Sequence, residues 1–76
     1  MIGRRIAQLR HRAGMTQRQL AEAAGLNHKT AVSKLERDEH WPSWRTLSNL
    51  ARALGVPVEE LLKPVEPEPE ETPATT

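Results

Sequence analysis

Apolar residues recur along this chain in steps of three and four, broken by short polar interruptions, and this pattern predicts five helices. Ile2, Ile6, Leu9 and Ala13 share one face of a first helix over residues 3–13, which Gly14 stops. Thr16 caps a second helix over residues 17–24. Gln19, three residues on, closes a capping box, and Met15 and Leu20 flank the cap at staple positions. Gly25 ends this helix in the left-handed conformation that glycine reaches without a steric penalty. A third helix begins after Asn27 or His28 and runs to about Arg37, with Val32 and Leu35 on its inner face. The stretch DEHWP is a loop, because Pro42 keeps Trp41 out of helical geometry. Ser43 caps a fourth helix over residues 44–54 that buries Leu47, Leu50, Ala51 and Leu54, and Gly55 ends it. A short fifth helix over residues 57–62 starts on a proline at its permitted first turn. After Pro64 the chain reads VEPEPEETPATT, which has almost nothing to bury and is expected to be disordered. The pattern therefore gives an all-α fold: one compact five-helix domain over residues 1–63, then a disordered acidic tail over residues 64–76.

Composition narrows the chemistry. Seventy-six residues allow one small domain. Without cysteine there is no disulfide framework and no thiolate metal site. No apolar run approaches the roughly 20 residues of a membrane span. The opening MIGRRIAQLR mixes charge with apolar residues and lacks the core of a signal peptide, so a soluble intracellular protein is expected. The net charge of +1 conceals segregation. Residues 1–54 carry ten Lys and Arg against four acids, a net +6, and residues 55–76 carry one Lys against six Glu, a net −5. A basic body with an acidic end suggests an anionic partner for the body.

The second and third helices, joined by a tight turn, form a helix-turn-helix pattern in QRQLAEAAGLNHKTAVSKLE, with the small Ala21 where the two would cross. His28, Lys29, Thr30, Ser33 and Lys34 are left on the outer face of the third helix or at its start. A polar, cationic helix face of this kind suits the DNA major groove. Three stretches, LRHRAGMTQRQLAEAAGL, AVSKLER and PSWRTLSNLARALGVPVEELL, resemble the lambda-repressor-like (Cro/repressor, XRE) helix-turn-helix family over about residues 2–62. The resemblance implies a compact all-α DNA-binding domain whose third helix enters the major groove, in a bacterial or phage setting, cytoplasmic and nucleoid-associated. There are two departures from the family pattern. Leu26 to Glu36 spans eleven residues where ten are usual, and the extra residue is assigned to the turn at Leu26-Asn27. Asp38 stands where glycine is common, and Glu39 follows; two acids there would repel phosphates.

Individual residues carry definite expectations. Lys29, Thr30, Ser33 and Lys34 are the candidates for base edges: lysine donates to guanine O6 and N7, and threonine bonds a base or touches a thymine methyl. For Lys34 a base contact and a phosphate contact are evenly balanced. Gln17 resembles the family's phosphate-positioning glutamine at the start of the second helix, aided by the helix dipole. Arg18, His28, Arg37 and Arg45 are the other candidate backbone contacts, with Arg52 behind them; His28 has capping or solvation as its alternatives. Arg10 and Glu36 resemble a structural ion pair of the family that joins the first helix to the end of the third. Trp41 and Trp44 invite a stacking role. In a core without Phe or Tyr, however, packing is the commoner use, and Trp44 is the one expected inside. His11, His28 and His40 lack metal-ligand spacing, and no nucleophile setting or Gly-rich phosphate loop occurs. Neither catalysis, a cofactor nor a metal is expected.

The reading that follows is a sequence-specific double-stranded DNA-binding transcriptional regulator, Cro-like in size, repressing by operator occupancy. A palindromic operator and a homodimer, at least on DNA, are expected, with Val58, Leu61 and Leu62 as the dimer contact and core closure as their alternative. The rival reading is an antitoxin-like or coactivator-like module whose main partner is another protein, engaged through the acidic tail. The tail could instead cover the basic face as an electrostatic brake, or simply keep the protein in solution.

Overall fold

The computed structural model describes residues 2–67. These residues form α1 (Ile2–Arg12), α2 (Gln17–Ala23), α3 (Lys29–Glu36), α4 (Trp44–Leu54) and α5 (Val58–Leu62), with no strand among them. The five expected helices are all present, and α4 has the expected ends. The core draws one fully buried side chain from each helix: Ile6, Leu20, Val32, Leu50 and Leu61. Around them α2 packs on α3 and α4, α1 on α3 and α5, and α4 on α5. Ala13 lies one residue beyond α1 and is exposed, so the apolar face of that helix ends at Leu9.

Four of the five helices close in the same way. The amides of Met15, Leu26, Glu39 and Val56 each bond the carbonyl five residues back, at Arg10, Ala21, Lys34 and Ala51. The residue before each of these amides is left-handed: Gly14, Gly25 and Gly55 in three cases, and Asp38, at φ 61°, in the fourth. Aspartate tolerates this conformation better than most residues. Here it also has a second task, because the Gly3 amide donates to Asp38 Oδ1 at 2.9 Å. The α3–α4 loop thus caps the start of α1. The contact is close: a Cβ on Gly3 would stand 2.5 Å from the carbonyl oxygens of both Leu35 and Glu36.

Arg5 is the largest fully buried side chain, at 1% exposure. Its Nε donates to the Glu60 carbonyl at 2.7 Å, its Nη2 to Glu60 Oε1 at 2.9 Å and its Nη1 to Gln8 Oε1 at 2.8 Å. A guanidinium can be buried when its donors are met in this way. Its effect here is to fasten α5 to α1. Beyond α5, Gln8 exchanges bonds with the backbone of Glu66: Gln8 Nε2 donates to its carbonyl at 2.6 Å, and its amide donates to Gln8 Oε1 at 3.0 Å. Arg12 adds a 2.8 Å ion pair to the Glu66 carboxylate. The segment expected to be disordered from residue 64 is thus held against α1 at Glu66, and its remainder from residue 68 falls outside the described residues.

Candidate nucleic-acid interface

Helix α2 is started by the expected capping box: the Gln19 amide donates to Thr16 Oγ1 at 3.0 Å, and the Thr16 amide donates to Gln19 Oε1 at 2.8 Å. Met15 packs partly buried against the core that holds Leu20. The chain then turns through residues 24–28, and α3 runs unbroken from Lys29. The helical register between Lys29 and Leu35 is therefore continuous. Val32 and Leu35 face the core, Lys29, Thr30 and Lys34 are exposed, and Ser33 is half-buried. The four base-edge candidates thus come together on one short helix.

Their surroundings differ from one to the next. The Ser33 hydroxyl accepts from Arg37 Nη1, and Arg37 Nε donates to Glu39 Oε2 at 2.6 Å. This hydrogen bond, with the attraction between the two charges, raises Arg37 above its ordinary pKa. The same bond to Arg37 is the main cause lowering Glu39, with the Arg37, Lys34 and His40 charges adding to it. Arg37 therefore enters any phosphate contact already paired. His28 occupies the N-cap position of α3, but its side chain makes no capping bond, leaving the ring exposed. Arg18 and Arg45 are exposed on α2 and α4, and so is Arg52 near the end of α4.

Arg10 and Glu36 form the expected ion pair. Arg10 Nε lies 2.6 Å from Glu36 Oε2 and Nη2 3.2 Å from Oε1, while Nη1 donates to the Met15 carbonyl at 2.9 Å. Their side chains are 11% and 8% exposed, so the pair is nearly buried. A third member, not evident from the residue pattern, joins them: Gln17 Nε2 donates to Glu36 Oε1 at 3.0 Å. Glu36 thereby fixes the start of α2 against the end of α3, and the Gln17 amide is held rather than free to rotate.

Open clefts flank α3. One, of about 800 Å³, runs beside its C-terminal half and carries Arg4, His11, Arg12 and Arg37, with Val65 at its edge. The other, of about 510 Å³, lies between the Thr30–Lys34 face and the loop residues His40 and Trp41. The α1 cations were not anticipated, because they read as the solvated side of an amphipathic helix.

Two expectations need correction. Leu61 is 0% exposed, so it is core and offers no surface to a second copy; Val58 is half-buried, and Leu62 is exposed. Trp44 is 68% exposed, not internal. The buried stripe of α4 begins one turn later at Leu47, and Pro42 is the buried residue at that end instead. Among the described residues no cluster of His, Asp or Glu could hold a metal, and no helix is long and apolar enough to cross a membrane.

This geometry has known counterparts. The chain is 36% identical over 70 residues to the HTH-type transcriptional regulator PuuR of Escherichia coli (strain K12), covering 87% of this chain and 37% of that protein. It is 39% identical over 61 residues to the immunity repressor protein of Bacillus phage phi105, covering 80% of this chain and 42% of that one. It therefore spans about two fifths of the length of these curated relatives. Among solved structures, SinR of Bacillus subtilis, a master regulator for biofilm formation crystallised in complex with DNA, superposes with a TM-score of 0.76. That match is 39% identical and covers 83% of this chain and 100% of that one. The model of the helix-turn-helix domain family matches residues 2–63, and with these relatives the chain belongs to the lambda-repressor-like (Cro/repressor, XRE) helix-turn-helix family.

Proposed function

We propose that this chain binds double-stranded DNA in a sequence-specific manner and regulates transcription, repressing by occupying an operator. The observation that carries the reading is the face of α3, where Lys29, Thr30 and Lys34 stand exposed on a helix held from behind by Val32 and Leu35. Lys29, Thr30, Ser33 and Lys34 read base edges, and Gln17, Arg18, Arg37 and Arg45 meet phosphates. Gln17 is oriented for this by Glu36. The phage immunity repressor and the DNA-bound SinR structure support the same reading.

One such domain contacts few base pairs. A homodimer on a palindrome, with half-sites about 34 Å apart, supplies the missing specificity. Its contact uses Leu62 and the exposed part of Val58, Leu61 being unavailable. Selection from a randomised duplex pool at about 150 mM salt, where nonspecific attraction is weakened, tests the proposal. A recovered palindrome supports both specificity and dimerisation. A folded protein that enriches no sequence overturns the DNA reading.

A second reading concerns the acidic segment. Glu66 is tied to Gln8 and Arg12 beside the cleft that carries Arg4, His11 and Arg37. This anchoring favours a brake, in which the glutamates beyond residue 67 compete with DNA, over a free protein-binding tail. Removing residues 68–76 decides between them: a brake gives tighter DNA binding at low salt, and a partner-binding segment gives no change.

A further inference from the structure

The cleft of about 800 Å³ beside the C-terminal half of α3 has Arg4, Ala7 and His11 on its α1 side. Arg4 and His11 are nearly two helical turns apart, so they share one face, about 10 Å apart along the axis, with the small Ala7 between them. Arg4 is exposed and makes no ion pair among the described residues. His11 Nε2 lies 3.2 Å from Arg10 Nη2, which can only donate, so the ring carries its proton on Nδ1 and has that donor to offer. The carboxylate that lines the cleft, Glu36, is engaged by Arg10 and Gln17. The cleft therefore presents donors to an anion, with no unengaged acid among its lining residues.

The chain itself leads an acidic segment to this place. Val65 lines the cleft, and Glu66 is tied down beside it by Gln8 and Arg12. Fixing residue 66 keeps the residues that follow it at a high effective concentration near α1. Prolines at 64, 67 and 69 favour polyproline II, which has three residues and about 9 Å per turn. In that conformation residues 65, 68 and 71 share a face, so Glu68 and Glu71 continue the side on which Val65 meets the cleft. Their spacing of about 9 Å suits the roughly 10 Å between Arg4 and His11. Glu70 falls on a different face.

We propose that the acidic segment docks in the cleft between α1 and α3 as an extended strap, with Glu68 and Glu71 meeting the Arg4 and His11 donors and Glu70 facing away. The inference deepens the brake reading above and rests on it. Gln17, Ser33 and Arg37 line the same cleft, so a docked strap covers an edge of the surface assigned to DNA. Strap and phosphate strand then exclude one another, most strongly at low salt, where exposed charges are least screened. The competing occupant is the same segment of a second copy. The chain's own segment is favoured because Glu66 is already held beside the cleft.

The test uses the full-length chain. Glu68→Gln, Glu70→Gln and Glu71→Gln each remove one charge beyond the helical domain, which stays folded in all three. NMR follows the Arg4 side-chain Nε–H, the His11 ring and the Ser33 and Arg37 amides. Glu68→Gln and Glu71→Gln are expected to shift these signals, Glu70→Gln to leave them in place, and salt near about 0.5 M to reproduce the shifts in the parent chain. The variant carrying both Glu68→Gln and Glu71→Gln should bind the duplex recovered from the random pool about five-fold tighter at roughly 50 mM salt, the scale of two exposed ion pairs. Equal shifts from all three single variants, or none from any, overturn the docked strap alone; removal of residues 68–76 then still decides the brake. Shifts that depend on protein concentration place the segment on a second copy and overturn it as well. The expected shifts with unchanged DNA affinity in the double variant overturn the brake and, with it, the competition proposed here.

Discussion

The amide of Gly3 donates to the Asp38 carboxylate, so the loop that ends α3 also begins α1. Both residues are constrained by this contact, Gly3 by the carbonyl oxygens of Leu35 and Glu36 and Asp38 by its left-handed backbone. Gly3→Ala must push the helices apart and is expected to cost about 1–3 kcal/mol. At position 38 the expected order of stability is Asp, Asn, Gly, Ala. Asparagine keeps a cap and tolerates the backbone, glycine keeps the backbone alone, and alanine keeps neither. Thermal melting of the four proteins checks the order, and an alanine variant as stable as the asparagine one would contradict it.

Glu36→Ala strands the nearly buried Arg10 and releases Gln17. A loss of about 3 kcal/mol is expected, as for other buried pairs broken from one side. DNA binding should weaken as well, even at temperatures where the variant is folded, because the start of α2 is no longer fixed. Denaturant melts and affinity measurements on the same samples separate the two effects.

Arg5→Ala removes three donors from the interior and leaves the Glu60 carbonyl without its partner. The expected cost is again about 3 kcal/mol. Arg5→Lys should recover little of it, since a compact ammonium cannot span the carbonyl, the carboxylate and Gln8 as the planar fork does. Hydrogen exchange across α5 reports whether that helix loosens first.

Lys34→Ala distinguishes its two roles. Loss confined to particular base pairs in the selected site marks a base contact. A uniform loss on every duplex, with a salt slope shallower by about one, marks a phosphate contact.

Acid should detach the segment beyond α5. The hydrogen bond from Arg12, and then the Arg5 charge, hold the Glu66 carboxyl below its ordinary range. A lowered folded-state value means that the contribution is complete above the ordinary carboxylate range, near about 4.3, and is lost as pH falls through the lowered value. The Gln8 side-chain amide resonance, bonded to the Glu66 carbonyl, should shift in that acidic window. In Glu66→Gln the transition should disappear.

The local features of this fold were legible in the sequence. Periodicity placed α4, and Thr16, Gln19 and Ser43 announced their caps, because each signal lies within one or two helical turns. What escaped depends on residues far apart in the chain. Arg5 looks like a surface charge until Glu60 closes over it, and Gly3 looks incidental until α3 ends against it. Leu61 and Leu62 are adjacent and alike, and which of them faces inward is decided by how α5 docks. Trp44 was misplaced for the same reason: its apolar character is local, but the end of the core is not. The face of α3 was readable because Val32 and Leu35 set its register; that the exposed Trp41 stands beside it was not, because a loop has no period.

The Arg5–Glu60 contact also bears on how the molecule comes into being. Of the five helices described, the first in the chain finds its buried partners on the last. Until residue 60 has emerged, Arg5 lacks its Glu60 partner and the apolar face of α1 lacks one of its two neighbours. The packing of α1 is therefore completed only once α5 has been made.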